Sequence, residues 1–102
     1  MSELTGKQKR YLRSLGQHLS AMSVIGKEGL SEAVVATLGR LLDQHELIKV
    51  RLHVQDASER DEAAEALSAA TGAALAGAIG HTALLYRPNT ERSANKRITL
   101  PT

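Results

Sequence analysis

Cysteine is absent from this chain, which excludes a disulfide framework, a thiolate nucleophile and any zinc site built on cysteine. A reducing cytoplasm is the expected compartment. Phenylalanine and tryptophan are also missing and only two tyrosines, Tyr11 and Tyr86, are present. A sheet so poor in rings lacks the stacking platform on which RRM and OB-type domains read bases. No apolar run approaches the ~20 residues that cross a bilayer, and no signal peptide is visible, so neither a membrane nor an export route is expected. Enzyme signatures are lacking too: there is no nucleophile with a base, no metal-ligand spacing and no Walker-type phosphate loop, while His18, His45, His53 and His81 are scattered. No catalytic residue, metal, cofactor or small-molecule substrate is therefore expected, and the chain reads as a non-enzymatic protein.

What is present is a single periodic pattern over 102 residues, the size of one domain. Charge is segregated along it. Met1 to Lys27 holds five Lys/Arg against Glu3, and Arg87 to Thr102 holds four against Glu91. The stretch between them has four basic residues and nine acidic ones, so the ends are positive and the middle negative. Folded up, that order is compatible with a basic face for a polyanion, or with no more than clustered solvated charge.

The most informative run is Val24-Ile25-Gly26-Lys27-Glu28-Gly29-Leu30-Ser31-Glu32: strand, glycine loop, helix start. Two glycines permit a sharp turn with uncovered N–H groups at the positive end of a helix dipole, where phosphate oxygens are stabilised. The same residues also suit a plain βα turn. Upstream, Thr5 and Gln8 form a capping box for a helix from Gly6 to about Leu15, with Tyr11, Leu12 and Leu15 on one stripe and Lys9, Arg10 and Arg13 on the opposite arc. Ala21 to Ile25 reads as the first strand. Ser31 opens a second helix running to His45, with Val34, Leu38, Leu41 and Leu42 as its apolar positions.

From Leu47 to Gln55 residues alternate, Ile48, Val50, Leu52 and Val54 on one side and Lys49, Arg51 and His53 on the other, which predicts a half-buried strand. Its positive side either extends an RNA surface or is simply solvated. Asp56 to Thr71 reads as an acidic helix capped by Asp56 or Ser58 and ended by Gly72, with Ala63, Ala66, Leu67 and Ala70 packed inward. Its Glu59, Asp61, Glu62 and Glu65 repel phosphate. Ala73 to Ile79 and Thr82 to Arg87 predict a hairpin whose Gly80-His81 turn suits type II′. Arg87-Pro88 ends the last strand, and the basic remainder looks extended or disordered. The order α-β-α-β-α-β-β describes a small α/β domain with a four-stranded mixed sheet and packed helices.

The chain resembles the bacterial YhbY-like proteins built on a single CRM domain, the chloroplast RNA splicing and ribosome maturation domain, from about Leu4 to Pro101. The resemblance is carried by Leu4-Thr5-Gly6-Lys7-Gln8, Gly26-Lys27-Glu28-Gly29-Leu30, His45-Glu46-Leu47-Ile48-Lys49-Val50, Thr71-Gly72, and Ile79-Gly80 leading through Leu84, Leu85 and Tyr86 to Arg87-Pro88. It implies a fold similar to the C-terminal domain of translation initiation factor three, RNA binding, and association with ribosomal RNA in large-subunit precursor particles during ribosome assembly. It likens Gly26 to Gly29 to the KH-type GxxG loop that clamps a nucleic-acid backbone. The family's basic surface then falls on Lys7, Lys9, Arg10, Arg13 and Lys27, joined by Lys49, Arg51 and Arg87. Residues 1–88 are expected to form the RNA-binding domain and 89–102 a basic extended tail, in a monomer. The chain departs from the family at Ser20, Ala21 and Met22 and at His81, where lysine is frequent, and Glu28 in the loop is expected to point away from phosphate. The competing expectation is a protein-interaction module working through the acidic helix.

Overall fold

The computed structural model describes residues 4–26, 29–54 and 56–102, with the backbone alone described at Ile79. Thr5 caps the first helix as its sequence predicts: its hydroxyl accepts the Gln8 N–H, and the Gln8 side chain accepts the Thr5 N–H in return. Helix α1 spans Gly6–Gly16. Strand β1 (Ser23–Ile25) is shorter than expected, and Ser31 then caps α2 (Glu32–His45) by accepting the Val34 N–H. Strand β2 (Leu47–Leu52) stops before Val54. Asp56 caps α3 (Ala57–Thr71), which ends at Gly72 in the left-handed conformation at φ 70°. Strands β3 (Ala74–Ile79) and β4 (Thr82–Tyr86) form the hairpin, and Gly80 alone in its turn has positive φ, as type II′ requires.

The sheet order is β1-β2-β4-β3, with β1 parallel to β2 and the other pairs antiparallel, giving the mixed four-stranded sheet. Both faces are covered, each by a different apolar cluster. On one, Leu38 and Leu42 of α2 and Ala64 and Leu67 of α3 pack on Ile25, Ile48, Val50, Leu52, Ala83 and Leu85. On the other, Leu12 of α1 packs on Leu47, Ala76, Leu84 and Tyr86. Leu47 thus points away from Ile48, Val50 and Leu52 and is buried all the same, because α1 roofs that end of β2.

Two expectations are corrected. Helix α3 buries Ala64, Leu67 and Thr71, with Ala63 half-buried, while Ala66 and Ala70 are exposed. Alanine lies all round this helix, so its sequence carries too little apolar contrast to fix the face. The segment after Pro88 is packed, not extended or disordered: it contains a 3-10 turn at Ala94–Lys96, and Ile98 and Leu100 join the α1-side cluster.

Glu46 holds that segment in place. It caps α2 at φ 63°, a conformation glycine usually takes, and is fully buried. Its carboxylate accepts the Asn89 N–H at 2.7 Å, the Ile98 N–H at 2.8 Å and Arg92 at 3.3 Å, and Arg97 Nε lies 3.8 Å away. Burial, and then the Glu46 charge, raise the Tyr86 phenol above its ordinary 10.0, against a lowering by Arg97. Gln8 and Lys7 of α1 donate to the backbone oxygens of Pro101 and Thr102 at 3.1 and 3.2 Å, closing the tail onto the first helix.

Candidate nucleic-acid interface

The α1 side of the sheet carries Lys9, Arg10 and Arg13 on the helix and Lys49 and Arg51 on β2. Two close approaches set the helix down on the strands. A β-carbon on Gly16 would lie 2.9 Å from both terminal methyls of Leu84, and one on Gly77 would lie 2.9 Å from the Arg13 methylenes. Neither glycine needs an unusual φ, and their role is clearance. Gly77 sits at a register shift between Leu75 and Gly77, which lets β3 bend beneath the Arg13 stem.

Beyond the C-terminal end of α1 the sheet face is uncovered, leaving a pocket of about 270 Å³ lined by Arg13, Gly16, Gln17, Lys49, Gly77, Thr82 and Leu84. Strand alternation carries the positive side of β2 onward from Lys49 to Arg51, which is exposed. Arg51 pairs in register with Val24 of β1, itself 56% exposed, and the Gly26–Gly29 turn leaves the sheet two residues after Val24. Lys9 and Arg10 are exposed on α1, and Arg13 is half-buried. Arg13 and Lys49 therefore line one pocket, Arg51 follows Lys49 on the same side of β2, and the Arg10 guanidinium lies back toward Gly6 at the start of α1. Tyr11, placed by the sequence on the packing stripe, is 38% exposed.

Among the described residues no carboxylate forms an ion pair with Lys9, Arg10, Arg13, Lys49 or Arg51. The other basic residues chosen from the sequence behave differently. Arg87 lies on the opposite side of the sheet, where it donates to the Thr71 carbonyl at 2.6 Å, the Gly39 carbonyl at 2.9 Å and Asp43 at 3.0 Å. It ties α2 to the end of α3 and is not brought to the α1 side. Lys7 is engaged with the Thr102 oxygen. Of the loop, the Gly29 N–H donates to the Gly26 carbonyl at 3.1 Å, and Gly29 takes φ 76°. That amide is used inside the turn. Lys27 and Glu28, including the expectation that Glu28 points outward, lie outside the described residues.

The acidic helix is on the far face. Glu59, Asp61, Glu62 and Glu65 are all exposed on α3, across the sheet from α1. The charge order of the sequence thus becomes a two-sided molecule. Sequence reasoning missed Gly16, Gln17, Gly77, Thr82 and Leu84 as pocket residues. Its one available signal was a glycine inside a strand pattern, which marks a bulge or a close approach.

Known proteins agree with this architecture. A "Probable RNA-binding protein" of Pseudomonas aeruginosa, PA4753, is 38% identical over 92 residues, covering 90% of this chain and 88% of that protein. The "Probable RNA-binding protein YqeI" of Bacillus subtilis is 38% identical over 98 residues, covering 96% and 99% respectively. The solution structure of SAV1595 from Staphylococcus aureus, described as a candidate RNA-binding protein, superposes with a TM-score of 0.82 at 40% identity, over 96% of this chain and 99% of that one. The CRS1 / YhbY (CRM) domain pattern matches residues 4–87, and the chain belongs to that family.

Proposed function

We propose that this protein is a non-enzymatic RNA binder that grips the RNA backbone with the band formed by Lys9, Arg10, Arg13, Lys49 and Arg51, continued by Lys7 and the Gly26-Lys27-Glu28-Gly29 loop. The observation that supports this reading is that those five cations have no ion-pair partner among the described residues and lie on α1 and the adjoining side of β2, while Arg87, Arg92 and Arg97 are spent within the fold and the exposed Arg40 and Lys96 lie apart from them on α2 and the C-terminal segment. A cation left free in water binds phosphate by releasing counterions, whereas one already paired must first give up its partner. The relatives named as RNA-binding proteins support the choice of polyanion. The family resemblance extends the proposal to ribosomal RNA in large-subunit precursors, with the protein acting as a cytoplasmic, monomeric assembly factor. The exposed carboxylates of α3, facing away from the band, leave a second side on which a ribosomal or assembly protein with basic residues can dock while RNA is held.

Titration of single-stranded RNA against salt tests the reading. With five phosphates neutralised, log K should fall against log salt with a slope near −3.5, taking about −0.7 for each. Arg51→Ala and Lys49→Ala should each flatten the slope by about 0.7 without altering the fold. An affinity that does not respond to salt would remove the band from the function. Sedimentation of cell extract over a gradient, probing precursor and mature particles for the protein, tests the ribosomal part.

A further inference from the structure

The pocket at the end of α1 is shaped for something other than a phosphate. Leu84, Gly16 and Gly77 supply its apolar lining, with Leu84 packed on Gly16 and the Arg13 stem packed on Gly77 at distances that leave no room for a β-carbon. Its polar lining residues are Arg13, whose stem lies along Gly77, the exposed Gln17, Lys49 and Thr82. At about 270 Å³ it falls below the ~300–1,000 Å³ of sites that enclose drug-sized molecules, which suits one flat ring system and not a peptide segment. A site for phosphate alone has no use for an apolar lining.

We propose that this pocket receives one unstacked base of the bound RNA, laid on Leu84 and covered by the Arg13 guanidinium plane, with the Gln17 amide reading its edge and the flanking phosphates held by Lys49 and Arg51. The inference deepens the RNA-binding reading and rests on it. Charge complementarity selects the occupant, because two of the lining residues, Arg13 and Lys49, are cations without an ion pair among the described residues, and Arg51 follows Lys49 on the same side of β2. Neither aromatic ring offers an alternative platform in the pocket: Tyr86 is buried in the α1-side cluster and Tyr11 is not among the lining residues. Arginine is the remaining planar group, and its guanidinium stacks on bases as aromatic rings do. The consequence is a preference at a single nucleotide within binding that is otherwise indifferent to sequence.

The test uses a short single-stranded RNA that the full-length protein binds, remade as a series with one abasic nucleotide at each position in turn. One position should weaken binding by about five- to tenfold, near the lower end of what a stacked base contributes, and the others should change little. Changing the base at that position should alter affinity in the wild type but not in Gln17→Ala, an exposed substitution that leaves packing intact. Gly77→Ala, which forces the Arg13 stem aside without removing its charge, should abolish the effect of the abasic position while keeping the salt slope. Binding that is equally strong with every abasic oligonucleotide but falls with salt would overturn the pocket and leave the backbone reading standing. Absence of salt-dependent RNA binding would overturn both. Nucleoside monophosphates serve as a further arm: they should compete only weakly, and a monophosphate binding as tightly as the oligonucleotide would assign the pocket to a free nucleotide instead.

Discussion

At the scale of single residues, the structure separates arginines that look equivalent in the sequence. Arg13 and Arg87 were chosen alike as phosphate contacts, yet Arg87 satisfies two backbone carbonyls and Asp43 across two helices, with 28% of its side chain exposed. Arg87→Ala should therefore lower unfolding free energy by about 1–3 kcal/mol, the cost of leaving part-buried acceptors unmet. Its salt slope for RNA should equal that of the wild type. Equilibrium denaturation and an RNA titration check the two halves, and a flattened slope with undiminished stability would return Arg87 to the interface. Glu46 shows why such roles were not legible. It stands in the His45-to-Val50 run that carries the family resemblance, but the groups it accepts from lie 43 to 52 residues further along the chain. No local pattern announces a partner at that distance.

At the scale of elements, legibility follows locality. The capping box of α1, the Ser31 cap of α2, the alternation of β2 as far as Leu52 and the Gly80 turn are all set by residues within a few positions of one another, and each of these appears as read, though β2 stops short of Val54. Where propensity is uniform, as in the alanine-rich α3, orientation is decided by the sheet it lands on, and the sequence pattern misplaces the face. The depth to which α1 settles is likewise a tertiary matter. Gly16 permits contact with Leu84, so Gly16→Ala should overpack that contact and destabilise the domain by about 1–3 kcal/mol. The usual advantage of alanine over glycine in a helix, about 1 kcal/mol, is reduced here because Gly16 is the last helical residue. Thermal unfolding checks the sign. A rise in melting temperature would mean that Leu84 moves freely and that the pocket lining is not fixed by this contact.

At the scale of the whole molecule, the sheet separates Lys9, Arg10 and Arg13 of α1 from the exposed carboxylates of α3, with Arg40 of α2 as an exposed cation on the α3 side. The partition was foreshadowed by the charge order of the chain, but the part taken by residues 89–102 was not. The family pattern ends at residue 87, and a basic run rich in polar residues invites an extended reading. Folded, that run places two backbone N–H groups and Arg92 on the buried Glu46 carboxylate and adds Ile98 and Leu100 to the cluster beneath α1. A chain ending at Pro88 should therefore be more than a trimmed domain. It would remove the Asn89, Ile98 and Arg92 donors from Glu46 together with the packing of Ile98 and Leu100, a loss of about 3–5 kcal/mol from a total near 5–15 kcal/mol. Urea denaturation of the 1–88 chain should show a much lower midpoint, and Glu46→Gln should change that midpoint little, because the carboxylate has lost its buried partners and is open to water. In the full chain the same substitution should destabilise, since it removes the charge that Arg92 and Arg97 share. If the shortened chain unfolds at the midpoint of the full one, the tail is an appendage as its composition suggests, and the Glu46 contacts contribute nothing to holding α1 on the sheet.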